Sequence, residues 1–82
     1  MTAYEAMLRR ALAEFDELVA ARETELREQL TGAGYDAQDI DDAVAFCRPG
    51  IAKERRGIPV LVMTAFARNS ISLETSADAW QP

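Results

Sequence analysis

The stretch Ile58-Pro59-Val60-Leu61-Val62-Met63-Thr64-Ala65-Phe66-Ala67 decides the fold class. It is apolar on every side, so periodicity alone does not separate a buried helix from a buried strand. Ile58, Val60, Val62 and Thr64 put β-branched side chains at alternate positions, as a strand would. Pairing with Ile71–Thr75 across Arg68-Asn69-Ser70 would make an α+β protein with a C-terminal hairpin at 58–75. Against this, Pro59 suits the first turn of a helix. An isolated two-stranded hairpin is also marginal in water, and no other segment reads as a strand. The preferred reading is a helix, which makes the chain all-α.

Upstream, Ile51–Arg56 supplies a turn or two before Gly57, so a third helix is expected over 51–69, broken near Gly57-Pro59. A second helix is expected over 37–48. Asp36 is a good N-cap, and Asp39, Asp41 and Asp42 lie in the first turns, where the helix dipole favours negative charge. Ile40, Ala43, Val44 and Cys47 form its apolar face with Phe46 beside it, Arg48 complements its C-terminal end, and Pro49-Gly50 is read as its stop.

The first helix is expected over 3–30. Thr2 with Glu5 three residues on has the form of a capping box, and no Gly or Pro follows until Gly32. Leu8, Leu12, Phe15, Val19, Leu26 and Leu30 recur at helical spacing, interrupted by Arg22 and widened in the first half by Tyr4, Met7, Ala11 and Leu18. Glu5–Arg9 and Glu23–Arg27 are favourable i,i+4 pairs. Thr31-Gly32-Ala33-Gly34 closes the helix. The expected architecture is a small three-helix domain over 1–70 with a long amphipathic first helix, followed by a tail over 71–82 that Leu73 and Trp80 could strap to the body.

Composition narrows the function. The chain has 82 residues, 49 % of them hydrophobic and 28 % charged, the balance of one small globular domain. It has no histidine and one cysteine, Cys47. Histidine general bases, Cys/His zinc sites and an internal disulfide are therefore excluded within the chain. Gly32-Ala33-Gly34 lacks the Lys-Ser/Thr of a phosphate loop, and Cys47 reads as a small hydrophobe. No cofactor and no enzymatic activity are expected. MTAYEAMLRR lacks the apolar segment of a signal peptide. The longest apolar run is about ten residues against the roughly 20 a membrane span needs, so a cytoplasmic protein without membrane association is expected.

The formal charge of −5 is uneven. Residues 1–47 carry 4 Arg against 11 Asp and Glu, and include the acidic surface Glu14, Asp16, Glu17, Asp36, Asp39, Asp41 and Asp42. Residues 48–57 carry Arg48, Lys53, Arg55 and Arg56 against Glu54. The acidic cluster around Asp36 lacks the alternating oxygens, Gly and late Glu of a calcium loop. The basic segment 48–56, suited to phosphate or ion-pair contacts, loosely outlines a helix-turn-helix DNA-binding regulator. Its acidic surroundings oppose that alternative, so nucleic acid is not an expected partner.

A helix of 28 residues is about 42 Å long, whereas a compact 82-residue chain has a radius of gyration of only about 12 Å. Two shorter helices would leave part of the first helix's stripe uncovered. Leu8, Leu12, Phe15, Val19, Leu26 and Trp80 are accordingly expected to meet another protein, with a homodimer the leading case. The sequence reads as a non-enzymatic adaptor, assembly subunit or inhibitor. One version of the last is a phage-type inhibitor whose acidic body fills the basic groove of a nucleic-acid-binding machine.

Overall fold

The computed structural model describes residues 1–79 and is all-α. Helix α1 spans Ala3–Gly32 and helix α2 spans Ala37–Arg68. They pack antiparallel as a hairpin, followed by a short 3-10 turn, Ala77–Ala79. No strand occurs among the described residues, only an isolated antiparallel bridge between Thr2 and Ser76. The ambiguous stretch 58–67 is helix, which removes the C-terminal hairpin alternative.

The three-helix expectation is corrected. Pro49-Gly50 does not stop the second helix, and Gly57-Pro59 does not break a third; all four residues lie inside α2. The reason is phase. Ile40, Val44, Ile58, Val62 and Phe66 are buried and Ile51 is half-buried. Their spacings of four and seven residues fall on one face only if the helix runs through without interruption. Each proline removes an N–H, so the carbonyls of Ala45 and Arg55 lose their i+4 donors. Both residues are exposed, where solvent can take the donor's place. Relative to alanine, a helix interior with two Pro and two Gly is disfavoured by about 8 kcal/mol, and α2 must recover this through packing.

Both ends of the hairpin are locally well specified. Glu5 N–H donates to Thr2 Oγ1 at 3.1 Å and Asp39 N–H to Asp36 Oδ1 at 2.9 Å, so both caps form at the residues the sequence indicates. After α1, Tyr35 N–H donates to the Leu30 carbonyl and Gly34 N–H to that of Thr31, with Gly34 at φ 93°. This is a Schellman ending. The same motif closes α2: Ile71 N–H reaches the Phe66 carbonyl and Ser70 N–H that of Ala67, with Ser70 at φ 56°. It turns Ile71 back onto the cluster around Phe66.

The segment after α2 is fixed by backbone contacts more than by large side chains. Ala3 N–H, left over in the first turn of α1, donates to the Thr75 carbonyl at 2.7 Å, and Ala77 N–H donates to that of Met1. The expected strap by Leu73 is not what holds this segment, since Leu73 is exposed. Trp80 lies outside the described residues.

The core is thin. Ala3, Ile58, Val62 and Phe66 form its centre, with Tyr4, Met7, Leu8, Ala11, Leu12, Phe15 and Ile71 packed around them. The Tyr4 and Phe66 rings meet edge to face at 6.0 Å, a geometry favoured by the ring quadrupoles. Toward the turn, Ile40 and Val44 are buried while Val19, Leu26 and Leu30 are half-buried. The molecule measures 53 × 19 × 19 Å with a radius of gyration of 17.5 Å, against about 12 Å for a compact chain of this length. The conflict between helix length and chain size is therefore resolved by elongation. Because α2 is as long as α1, it covers one side of α1 from end to end, and the other side stays open.

Candidate functional site

The open side carries an apolar groove between the two helices. Its terminal half encloses about 490 Å³ and is lined mainly by Met7, Ala11, Phe15 and Leu18 of α1 and by Ile58, Leu61, Val62 and Ala65 of α2. Its turn-side half encloses about 430 Å³ and is lined by Val19, Arg22, Glu23, Leu26, Val44, Cys47, Arg48, Ile51 and Glu54. Phe15 and Leu18 line both halves. They make one continuous surface along much of the hairpin. Leu18 is 63 % and Leu61 68 % exposed, although both sit in an apolar surround.

The groove follows from where each helix spends its apolar residues. On α1, Met7, Leu8, Ala11 and Leu12 pack against the cluster around Phe66, and Met7 and Ala11 line the groove together with Leu18. On α2, Val62 and Ile58 are buried, and Leu61 and Ala65 stand beside them. Each helix thus has an apolar sector wider than one partner helix covers.

The expected interface residues divide accordingly. Phe15, Val19 and Leu26 line the groove; Leu8 and Leu12 pack within the hairpin; Trp80 falls outside the described residues. Leu61 and Ala65 were hidden in an all-apolar stretch whose sequence shows no preferred face. Met7, Ala11 and Leu18 were visible as the widening of the first stripe, and that widening is the groove wall.

Some of the charged residues tie the hairpin together. Arg55 holds Asp16 through two bonds, Nε to Oδ1 at 3.0 Å and Nη2 to Oδ2 at 3.1 Å. The guanidinium hydrogen bond lowers the Asp16 pKa below its ordinary value, and the same contact raises that of Arg55. Arg27 bridges Asp41 at 2.9 Å and Glu23 at 3.3 Å, which raises its pKa as well. Both clusters stitch α1 to α2 on partly exposed surface, where ion pairs contribute little. Arg10 pairs with Glu14 at 3.1 Å. The expected Glu5–Arg9 pair is not among the ion pairs of the described residues.

Asp36 caps α2, Asp42 accepts from Gln38, and Asp39 and Glu17 are exposed. Among the described residues, no group of three or more His, Cys, Asp or Glu is arranged to hold a metal ion. Nor is any helix long and apolar enough to cross a membrane.

The basic segment does not form one surface. Arg48 lines the groove and Arg55 engages Asp16, whereas Lys53 and Arg56 are exposed on α2 and form no ion pair among the described residues. The helix-turn-helix outline needed a turn near Pro49-Gly50, and α2 has none there. Lys53 lies midway between Phe46, 87 % exposed, and Val60, also exposed; none of the three lines the groove. Cys47, expected on the apolar face of the second helix, lines the groove wall and is exposed.

Comparison with known proteins finds no match: no family model, no curated protein and no solved structure is significantly similar to the chain.

Proposed function

We propose that the protein acts by protein contact, with the apolar groove as its interaction surface, and performs no chemistry of its own. This is the class of adaptors, assembly subunits and protein inhibitors. The observation that carries the reading is the continuous groove through Phe15 and Leu18, with leucines on both helices left in water. Fully burying a leucine contributes about 1.5–3 kcal/mol, so a partner helix laid along this surface gains substantially from Leu18 and Leu61 alone. The site offers shape and apolar area, the ingredients of helix-in-groove recognition. The acidic excess outside the groove favours fast association with a basic partner through long-range attraction, and inhibition of a nucleic-acid-binding machine is one form of that.

Side-chain oxidation footprinting in cells tests the reading. With each rate divided by that of the same residue in the urea-unfolded chain, Leu18 and Leu61 should be strongly protected relative to Phe46, which is exposed in the hairpin as they are. Equal normalised reactivity of all three would show that the groove stays uncovered in use and would remove the proposal.

A further inference from the structure

We infer that the occupant of the groove is a second copy of this chain, the two hairpins packing face to face as an antiparallel four-helix bundle. The inference rests on the groove being an interaction surface, as proposed above, and adds the identity of the partner.

The first argument is area. A folded monomer of 9.1 kDa exposes about 4,900 Å² by the scaling of surface with mass. This chain exposes 6200 Å², an excess of about 1,300 Å². A standard interface takes about 800 Å² from each partner, and obligate dimers take more. Part of that excess is the elongated shape itself, and about 1,300 Å² is enough to supply one standard interface per chain.

The second argument is charge. The groove is lined by Glu14, Glu23 and Glu54 and by Arg22 and Arg48, a net of only −1, while the whole chain carries −5. A surface built for a basic partner would concentrate the acidic excess. Here that excess lies elsewhere, and the near-neutral face can meet its own copy without strong repulsion.

The third argument is geometry. Two antiparallel helices of 30 and 32 residues, each with an apolar sector too wide for one neighbour, form one layer of an up-down bundle. The second layer has the same length and the same stripe spacing when it is a second copy. Such an arrangement is isologous, so every groove residue is used twice. It also adds to the packing within the hairpin that offsets Pro49, Gly50, Gly57 and Pro59 in the interior of α2.

The test is sedimentation equilibrium of the purified full chain with three variants. Leu18→Glu and Leu61→Glu alter exposed positions of the hairpin, so its helices persist by circular dichroism. Phe46→Glu alters an exposed position outside the groove. The wild type and Phe46→Glu should sediment at twice the mass of one chain. The groove variants should raise the dimer dissociation constant about 100-fold or more, since each glutamate enters the interface twice.

Added salt should leave self-association unchanged or strengthen it, because screening reduces the repulsion between two acidic chains. A wild type that is monomeric at ~100 μM overturns the second-copy inference, while the groove reading still stands or falls by the footprint in cells. A dimer that survives Leu18→Glu and Leu61→Glu but dissociates with Phe46→Glu overturns both.

Discussion

Replacing Pro49 by alanine should stabilise the protein, and the sign of the effect separates two folds. Pro49 lies inside α2, on exposed surface. Its ring removes the N–H that would bond the Ala45 carbonyl and crowds the preceding turn. Host–guest scales place proline about 3 kcal/mol below alanine in a helix interior. The ring fills no core space, so its removal leaves no cavity, and most of the difference should appear as a gain of about 2–3 kcal/mol. For a domain of this size, 1 kcal/mol shifts Tm by roughly 4–8 °C, so Pro49→Ala should raise Tm by at least about 8 °C.

Gly50→Ala should add about 1 kcal/mol, because a Cβ at Gly50 meets nothing within 4 Å. The assay is thermal unfolding followed by far-ultraviolet circular dichroism, at one protein concentration because association alters Tm. If Pro49-Gly50 instead formed a turn, proline would be restricting the unfolded chain, and Pro49→Ala would lower stability by about 0.4–1 kcal/mol. A fall in Tm refutes the continuous helix and restores three helices.

Phe66, 3 % exposed and in contact with the Tyr4 ring, should lose about 3–5 kcal/mol on change to alanine. Phe46→Ala should stay within about 0.5 kcal/mol; comparable losses in urea midpoints would mean that the core is misplaced. The two helix endings should respond oppositely: Ser70→Gly relieves a left-handed residue and should gain about 1 kcal/mol, whereas Gly34→Ala creates one and should lose about 1 kcal/mol. A loss from Ser70→Gly in thermal melts would argue against that turn.

The lowered pKa of Asp16 means that its bond to Arg55 favours the fold while the carboxylate is ionised. That support is complete above the ordinary carboxylate range and disappears as pH falls through the lowered value. The stability difference between wild type and Asp16→Asn should therefore shrink between about pH 5 and pH 2. A difference that does not change with pH over that interval would show that the charge contributes nothing.

Much of this structure is legible in local chemistry. Thr2, Asp36 and Gly34 mark helix ends because each supplies a specific hydrogen bond or dihedral, and those signals depend on nothing distant. Pro49-Gly50 misleads for the opposite reason. Its local preference is to stop a helix, and only the row from Ile40 through Ile51 to Phe66, in phase on both sides, shows that packing against α1 overrides it. The groove was half visible: the widening of the α1 stripe at Met7, Ala11 and Leu18 marks one wall. Leu61 and Ala65 could not be assigned, because an all-apolar stretch has no face until its partner helix is known. The basic segment misleads in a similar way: wound on one continuous helix, Arg48 and Arg55 lie toward α1 while Lys53 and Arg56 stand in solvent.

Face-to-face pairing of two open hairpins would show in small-angle X-ray scattering of the purified chain. Pairing across the groove thickens the particle without lengthening it. The expected result is twice the mass of one 9.1 kDa chain with a longest dimension close to the 53 Å of a single hairpin. A particle of one chain's mass, or a dimer about twice as long as one hairpin, would contradict it.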